Sequence, residues 1–128
     1  MIRLTLPFPP SLNTMFPSGK NGRRFLSQKG KDFAEAVKAK VWADRTNDQY
    51  FKRPSPPPRL GLRLMLCPPD KRVRDLDNHI KAVGDAMTKA GVWVDDSTVD
   101  KLVVERGPIV KGGKCSVFVW DLHTEVMP

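Results

Sequence analysis

The chain has 128 residues and 40% hydrophobic content, enough for one packed core of the usual size of about 100–150 residues. No apolar run approaches the roughly 20 residues that cross a bilayer, and the opening MIRLTLPFPP lacks the layout of a secretory signal; a cytoplasmic protein with no membrane partner, one domain over residues 1–128, is expected. Twenty-two Lys and Arg against fourteen acids leave a net charge of +8, which points to an anionic partner, nucleic acid before an acidic membrane surface.

Residues 2–6, IRLTL, alternate apolar and polar and predict a strand that Pro7, Pro9 and Pro10 end. Residues 11–26 are rich in Gly, Pro, Asn and Ser and read as a loop, with Lys20, Arg23 and Arg24 as candidate phosphate contacts. Ser27 is a plausible N-cap for a helix over about 28–45, where Phe33, Val37 and Val41 recur at helical spacing. The polar, proline-rich 46–58 forms a stiff connection. Residues 59–67, RLGLRLMLC, put Leu60, Leu62, Leu64 and Leu66 on one face and predict a half-exposed strand.

A second helix fits about 76–90, with Leu76, Ile80, Val83, Met87 and Ala90 on one side and Gly91 at its C-terminal cap. After VWV (92–94) and a polar turn, KLVVERG and CSVFVWDL predict the last two strands, with Lys111-Gly112-Gly113-Lys114 as the turn between them or part of it. The order implies an α+β single domain: a mixed β-sheet of about four strands packed against two main helices. Cys67 and Cys115 have no metal-ligand spacing and are expected to be buried free thiols.

The acids are unevenly placed. Seven of the fourteen, all aspartates, fall within residues 70–100, where five basic residues leave a net charge of −2, while the rest of the chain carries +10. A protein that only gripped phosphates would gain nothing from such a cluster, whereas a divalent cation between carboxylates and phosphate reconciles the two signs.

Asp75 and Asp77 are two apart. Inside a regular helix they would diverge, but where extended chain turns into helix they can converge, with one of them as N-cap. Lys81, four after Asp77, is either a phosphate-orienting cation or an ion-pair partner of Asp77 or Asp85. Asp95-Asp96 offers a third carboxylate or a chain-reversing turn; it reaches the site if VWV pairs beside the strand leading to Asp75. No EF-hand, Walker A, HExxH or CxxC pattern is present; His79 and His123 are lone histidines, and His79 reads as a surface or cap residue before a ligand.

These residues carry a resemblance. Arg74-Asp75-Leu76-Asp77-Asn78 through Lys81, then Asp85-Ala86, Thr88-Lys89-Ala90-Gly91, Trp93 and Asp95-Asp96, resembles the signature of the RusA family of Holliday junction resolvases. Pro69-Asp70 with Lys71, Arg72 and Arg74, the early Leu6-Pro7, Pro9-Pro10-Ser11 and Asn13, and the late Val110-Lys111-Gly112-Gly113 are similar too.

The resemblance implies a homodimeric, Mg²⁺-dependent endodeoxyribonuclease, with Mn²⁺ a possible substitute, that nicks four-way junction DNA symmetrically in recombination and repair. It implies Asp75, Asp77 and Asp96 as catalytic, metal-holding carboxylates, selects Asp96 over Asp95, and makes Lys81 catalytic. Lys20, Arg23, Arg24, Lys71, Arg72 and Arg74 are the candidate DNA contacts, and no protein partner is inferred. Val73 interrupts the basic run, and His79 departs from the pattern. The rival readings are a catalytically silent junction-binding protein and a less selective nuclease acting on flaps or forks.

Overall fold

The computed structural model describes residues 2–17, 25–43 and 59–123. Ile2, Leu4 and Leu6 turn to the buried side of β1 (Ile2–Leu6), while Arg3 and Thr5 are exposed, as the alternation requires. β4 (Lys114–Asp121) pairs antiparallel with both β1 and β2 (Leu60–Cys67), and β2 pairs parallel with β3 (Val99–Arg106). The result is the expected mixed sheet, in the order β1-β4-β2-β3.

β2 differs from expectation. It is interior, with no exposed residue, because β4 and β3 flank it and the Trp120 indole crosses Gly61; a Cβ there would fall 2.3 Å from the ring. Four alternating leucines describe one face of a strand and say nothing about what covers the other.

α2 (Gln28–Ala43) starts where Ser27 Oγ accepts the Gly30 N–H at 3.1 Å, and it buries Phe33, Val37 and Val41. The second predicted helix is two pieces: one 3₁₀ turn, Leu76–His79, then α3 (Ile80–Ala90). α3 buries Ala82, Val83, Ala86, Met87 and Ala90 against the leucine face of the sheet; complete burial of side chains such as Val83 and Met87 contributes about 1.5–3 kcal/mol each. Gly91 stops it in the left-handed region at φ 83°. α2 packs on α3, and Trp42 Nε1 donates to the terminal carbonyl of Ala90 at 3.3 Å.

Within the segment read as a loop, a four-residue helix, α1 (Leu12–Met15), is capped by Ser11, whose Oγ accepts the Thr14 N–H at 3.2 Å. One turn is too short to leave a periodic signature. VWV forms only an isolated bridge at Trp93: Val92 and Trp93 are buried in the core, and β3 begins only at Val99 after a 3₁₀ turn at Asp96–Thr98. The turn at 111–114 forms as read, with Gly112 and Gly113 at φ 80° and 73°. The strands it joins are not neighbours, because β2 lies between β3 and β4. Cys67 and Cys115 are free and buried, and burial pushes the Cys115 thiol up to about 12. The connection at 46–58, Lys20, Arg23 and Arg24 lie outside the described residues.

Candidate metal and DNA site

β2 delivers the chain through residues 68–75 to the entrance of α3. Asp75 is extended there (φ −87°, ψ 131°) at the N-cap position of the 3₁₀ turn, yet its carboxylate makes no capping bond; the turn closes instead through the Asn78 N–H on the Asp75 carbonyl at 3.2 Å. Asp77 follows in the same turn, and both aspartates are exposed. An oxygen-only pair of this kind fits Mg²⁺ or Mn²⁺, hard cations that need one or two carboxylates and take water and phosphate for the remainder.

Asp95 and Asp96 divide the two roles open to them. Asp95 does the turn chemistry: its side chain accepts the Ser97 N–H at 3.3 Å and its carbonyl accepts the Thr98 hydroxyl at 2.8 Å. Asp96 turns inward against α3. Its Oδ1 accepts from the Thr88 hydroxyl and from Trp93 Nε1 at 2.9 Å, and its Oδ2 lies over Gly84, where a Cβ would sit 3.1 Å away. Asp96 therefore meets α3 around Gly84 and Thr88, beyond the helix's first turn, while Asp77 lies in the 3₁₀ turn that precedes it. Among the described residues no three His, Cys, Asp or Glu side chains gather to cage a metal within one chain.

Lys81 Nζ pairs with Asp85 Oδ1 at 3.1 Å. That bond, and more distantly the charge of Asp96, hold its ammonium above the ordinary lysine value. Of the two pairings open to Lys81, the one with Asp85 forms.

The loop before Asp75 exposes Lys71 and Arg72. Arg74 is more enclosed: Nη1 donates to Asp70 Oδ1 at 2.7 Å, and the guanidinium lies 5.6 Å over the Phe8 ring. The Arg74 bond and the Arg72 N–H at 2.9 Å hold the Asp70 carboxyl well below the usual range, at about 2. Val73 is 95% exposed at the tip of this run.

His79 is neither a surface residue nor a side-chain cap. It is 6% exposed, with Nδ1 2.9 Å from the Pro9 carbonyl, so Nδ1 carries the proton and donates; its ring meets Phe8 at 4.9 Å between centroids. The proline segment after β1 is thereby fastened to the turn that carries Asp75 and Asp77. Nothing in a lone histidine announces this contact across 70 residues. Gly84 also escapes the sequence reading, though it leaves a signal: a glycine inside an amphipathic helix marks a close approach, here that of Asp96. His123 is exposed beyond β4.

Among the described residues no helix is long and apolar enough to cross a membrane. The sequence model of the family described as Endodeoxyribonuclease RusA matches residues 7–120. The crossover junction endodeoxyribonuclease RusA of Escherichia coli K12 is 34% identical over 122 residues, covering 95% of this chain and 96% of that one. Proteins of the same name from Enterobacteria phage 82 and Shigella sonnei match at the same identity and coverage. A family match over nearly the whole chain settles the lineage: the chain belongs to the RusA endodeoxyribonuclease family.

Proposed function

We propose that this chain is a cytoplasmic, Mg²⁺-dependent endonuclease, folded as one domain over 1–128, that resolves four-way DNA junctions by paired nicks as a C2 homodimer. The observation that carries the reading is the Asp75-Leu76-Asp77 entrance to α3, its Asp75 carboxylate free of capping duty, next to the exposed cations Lys71 and Arg72.

Asp75 and Asp77 hold the cation, with Asp96 as the third carboxylate. Since Asp96 stands about a turn and a half or more down the helix in its own chain, it joins the pair of the other protomer. Bound there, Mg²⁺ supplies Lewis-acid stabilisation of phosphate charge and a water of lowered pKa. Lys81, released from Asp85 by an approaching phosphate, offsets charge that builds on the scissile group. Lys71, Arg72 and Arg74, with Lys20, Arg23 and Arg24, hold the DNA backbone without reading sequence. A four-way junction has near two-fold symmetry, and a C2 dimer offers two sites to two opposed strands.

The test is nicking of a synthetic mobile junction by wild type, Asp75→Asn and Asp77→Asn in Mg²⁺ and in Mn²⁺. Wild type should cleave. Each variant should lose more than about 100-fold, beyond what outer-sphere changes cost, while still shifting the junction in a gel. Binding without cleavage by wild type would leave a silent junction-binding protein, and equal turnover on forks, flaps and junctions a less selective nuclease.

A further inference from the structure

Beside Asp75 a cleft of about 840 Å³ opens between the proline segment after β1 and the first turns of α2. Its volume lies within the roughly 300–1,000 Å³ of sites that enclose small organic groups. One wall is the half-buried ring of Phe8, packed against His79 and Arg74, which line the cleft with it; the other is α2 around Lys29 and Phe33. Arg72 stands on the rim. The acids that reach the cleft are Asp32, which Gln28 engages at 2.8 Å, and Asp75, assigned above to the metal. Asn78 lines the cleft as well, and among the described residues its side-chain amide has no hydrogen-bond partner.

We propose that this cleft receives one unpaired nucleotide next to the scissile phosphate, its base against Phe8 and its phosphate at Arg72 and Lys29. The inference rests on the nuclease reading and names the substrate feature that the same site selects. Three observations lead there. The cleft combines an aromatic and proline wall with a cationic rim, the pairing that binds single strands. Asn78 presents a donor and an acceptor, the two groups that engage a base edge. The cleft also adjoins Asp75, so a nucleotide in it is covalently continuous with the phosphate at the metal.

A base stacked inside a continuous duplex cannot enter without unstacking and unpairing, and that cost is least where pairing is already interrupted. The cleft thus favours branch points over linear duplex through the cost of unpairing.

The experiment uses the full chain, Mg²⁺ omitted, with 2-aminopurine placed in turn at each nucleotide flanking the cleavage position of a synthetic junction. On binding wild type, one position should brighten several-fold, and the same position in linear duplex should not. Phe8→Leu and Asn78→Ala should each reduce that signal, while Phe8→Tyr, which keeps the ring, retains it. Phe8→Leu should also lower junction-over-duplex affinity by about 5- to 150-fold, the usual worth of one base–aromatic stack.

Flat fluorescence at every flanking position on bound junction overturns the proposal. So does a rise that persists undiminished in folded Phe8→Leu and Asn78→Ala. Cleavage in Mg²⁺ is scored separately: brightening without nicking would uphold the cleft and remove the nuclease reading, and nicking without brightening would do the reverse.

Discussion

Replacing Gly84 by Ala sets two effects of known sign against each other. In a helix interior Ala is favoured over Gly by about 0.8–1.0 kcal/mol, so the change by itself strengthens α3. The added Cβ would lie 3.1 Å from Asp96 Oδ2 and 3.5 Å from its Cγ. The carboxylate must yield by a few tenths of an ångström, and it is not free to do so, because Thr88 and Trp93 both donate to Oδ1. Hydrogen bonds to a charged group contribute about 1.5–3 kcal/mol each, and stretching two of them slightly forfeits a fraction, about 1 kcal/mol in all. The terms nearly cancel. Unfolding free energy should stay within about 1 kcal/mol of wild type and the midpoint of thermal unfolding within roughly 4 °C.

Cleavage has no such cancellation. If Asp96 serves the metal site, shifting it should cost about 10–100-fold, as outer-sphere disturbances of metal ligands do. Thermal unfolding by circular dichroism and single-turnover nicking of a four-way junction give the two readouts. Wild-type nicking by a fully folded Gly84→Ala protein would refute a catalytic role for the Asp96 position, and a parallel collapse of stability would mean that α3 had failed instead.

Three further outcomes follow from the charges. Changing both Lys71 and Arg72 to Gln should flatten the log–log salt dependence of junction binding by about 0.9 for each phosphate no longer neutralised, measured by fluorescence anisotropy between low and physiological salt; an unaltered slope would remove them from the interface. Asp70, held at about 2 by Arg74 and the Arg72 N–H against an ordinary 3.8, favours the fold above about pH 4 and loses that contribution as pH falls toward 2. Asp70→Asn should therefore show a shallower acid limb over that window, and an identical limb would contradict the pairing. Cys115, buried and pushed up to about 12 from an ordinary 9.0, should resist iodoacetamide at pH 8 until the protein unfolds, and stability should fall as pH rises past 9, where only the unfolded thiol ionises. Rapid native-state labelling of Cys115 would show that the strand opens.

The elements are legible where a periodic pattern runs for two turns or more. Phe33, Val37 and Val41 mark α2, Val83, Met87 and Ala90 mark α3, and the leucines of β2 mark a buried face. What fails to register is either shorter than one period or decided by a distant partner. α1 is a single turn around Met15, and β2 is interior because Trp120, nearly sixty residues later, covers Gly61. VWV is apolar throughout, but only Val92 and Trp93 are claimed by the core while Val94 is exposed, and Trp93 uses its indole N–H to hold Asp96. The site divides the same way. Asp75 and Asp77 are legible from a two-residue spacing at a helix entrance; His79 is not, because its partner is the backbone of Pro9.

The chain rises through β2, descends through α3 and rises again in parallel through β3, so Asp75 and Asp77 sit at one end of α3 while Asp96 precedes β3 and meets the helix around Gly84 and Thr88. Bringing Asp96 to the pair within one chain would strain both bonds to its Oδ1, whereas in the proposed homodimer a two-fold axis beside α3 would bring the Asp96 of one protomer to the Asp75 of the other at no such cost. Two inactive variants distinguish these cases. In a heterodimer of Asp75→Asn and Asp96→Asn, co-expressed with different tags and purified as the mixed species, a site shared between protomers leaves one complete set of carboxylates, and nicking of one strand should return to about one site in two. If each site lies within a single chain, both sites of the same heterodimer carry a lesion and it stays as inactive as either homodimer. That second result would place all three aspartates in one protomer and require Asp96 to leave Thr88 and Trp93 when the cation binds.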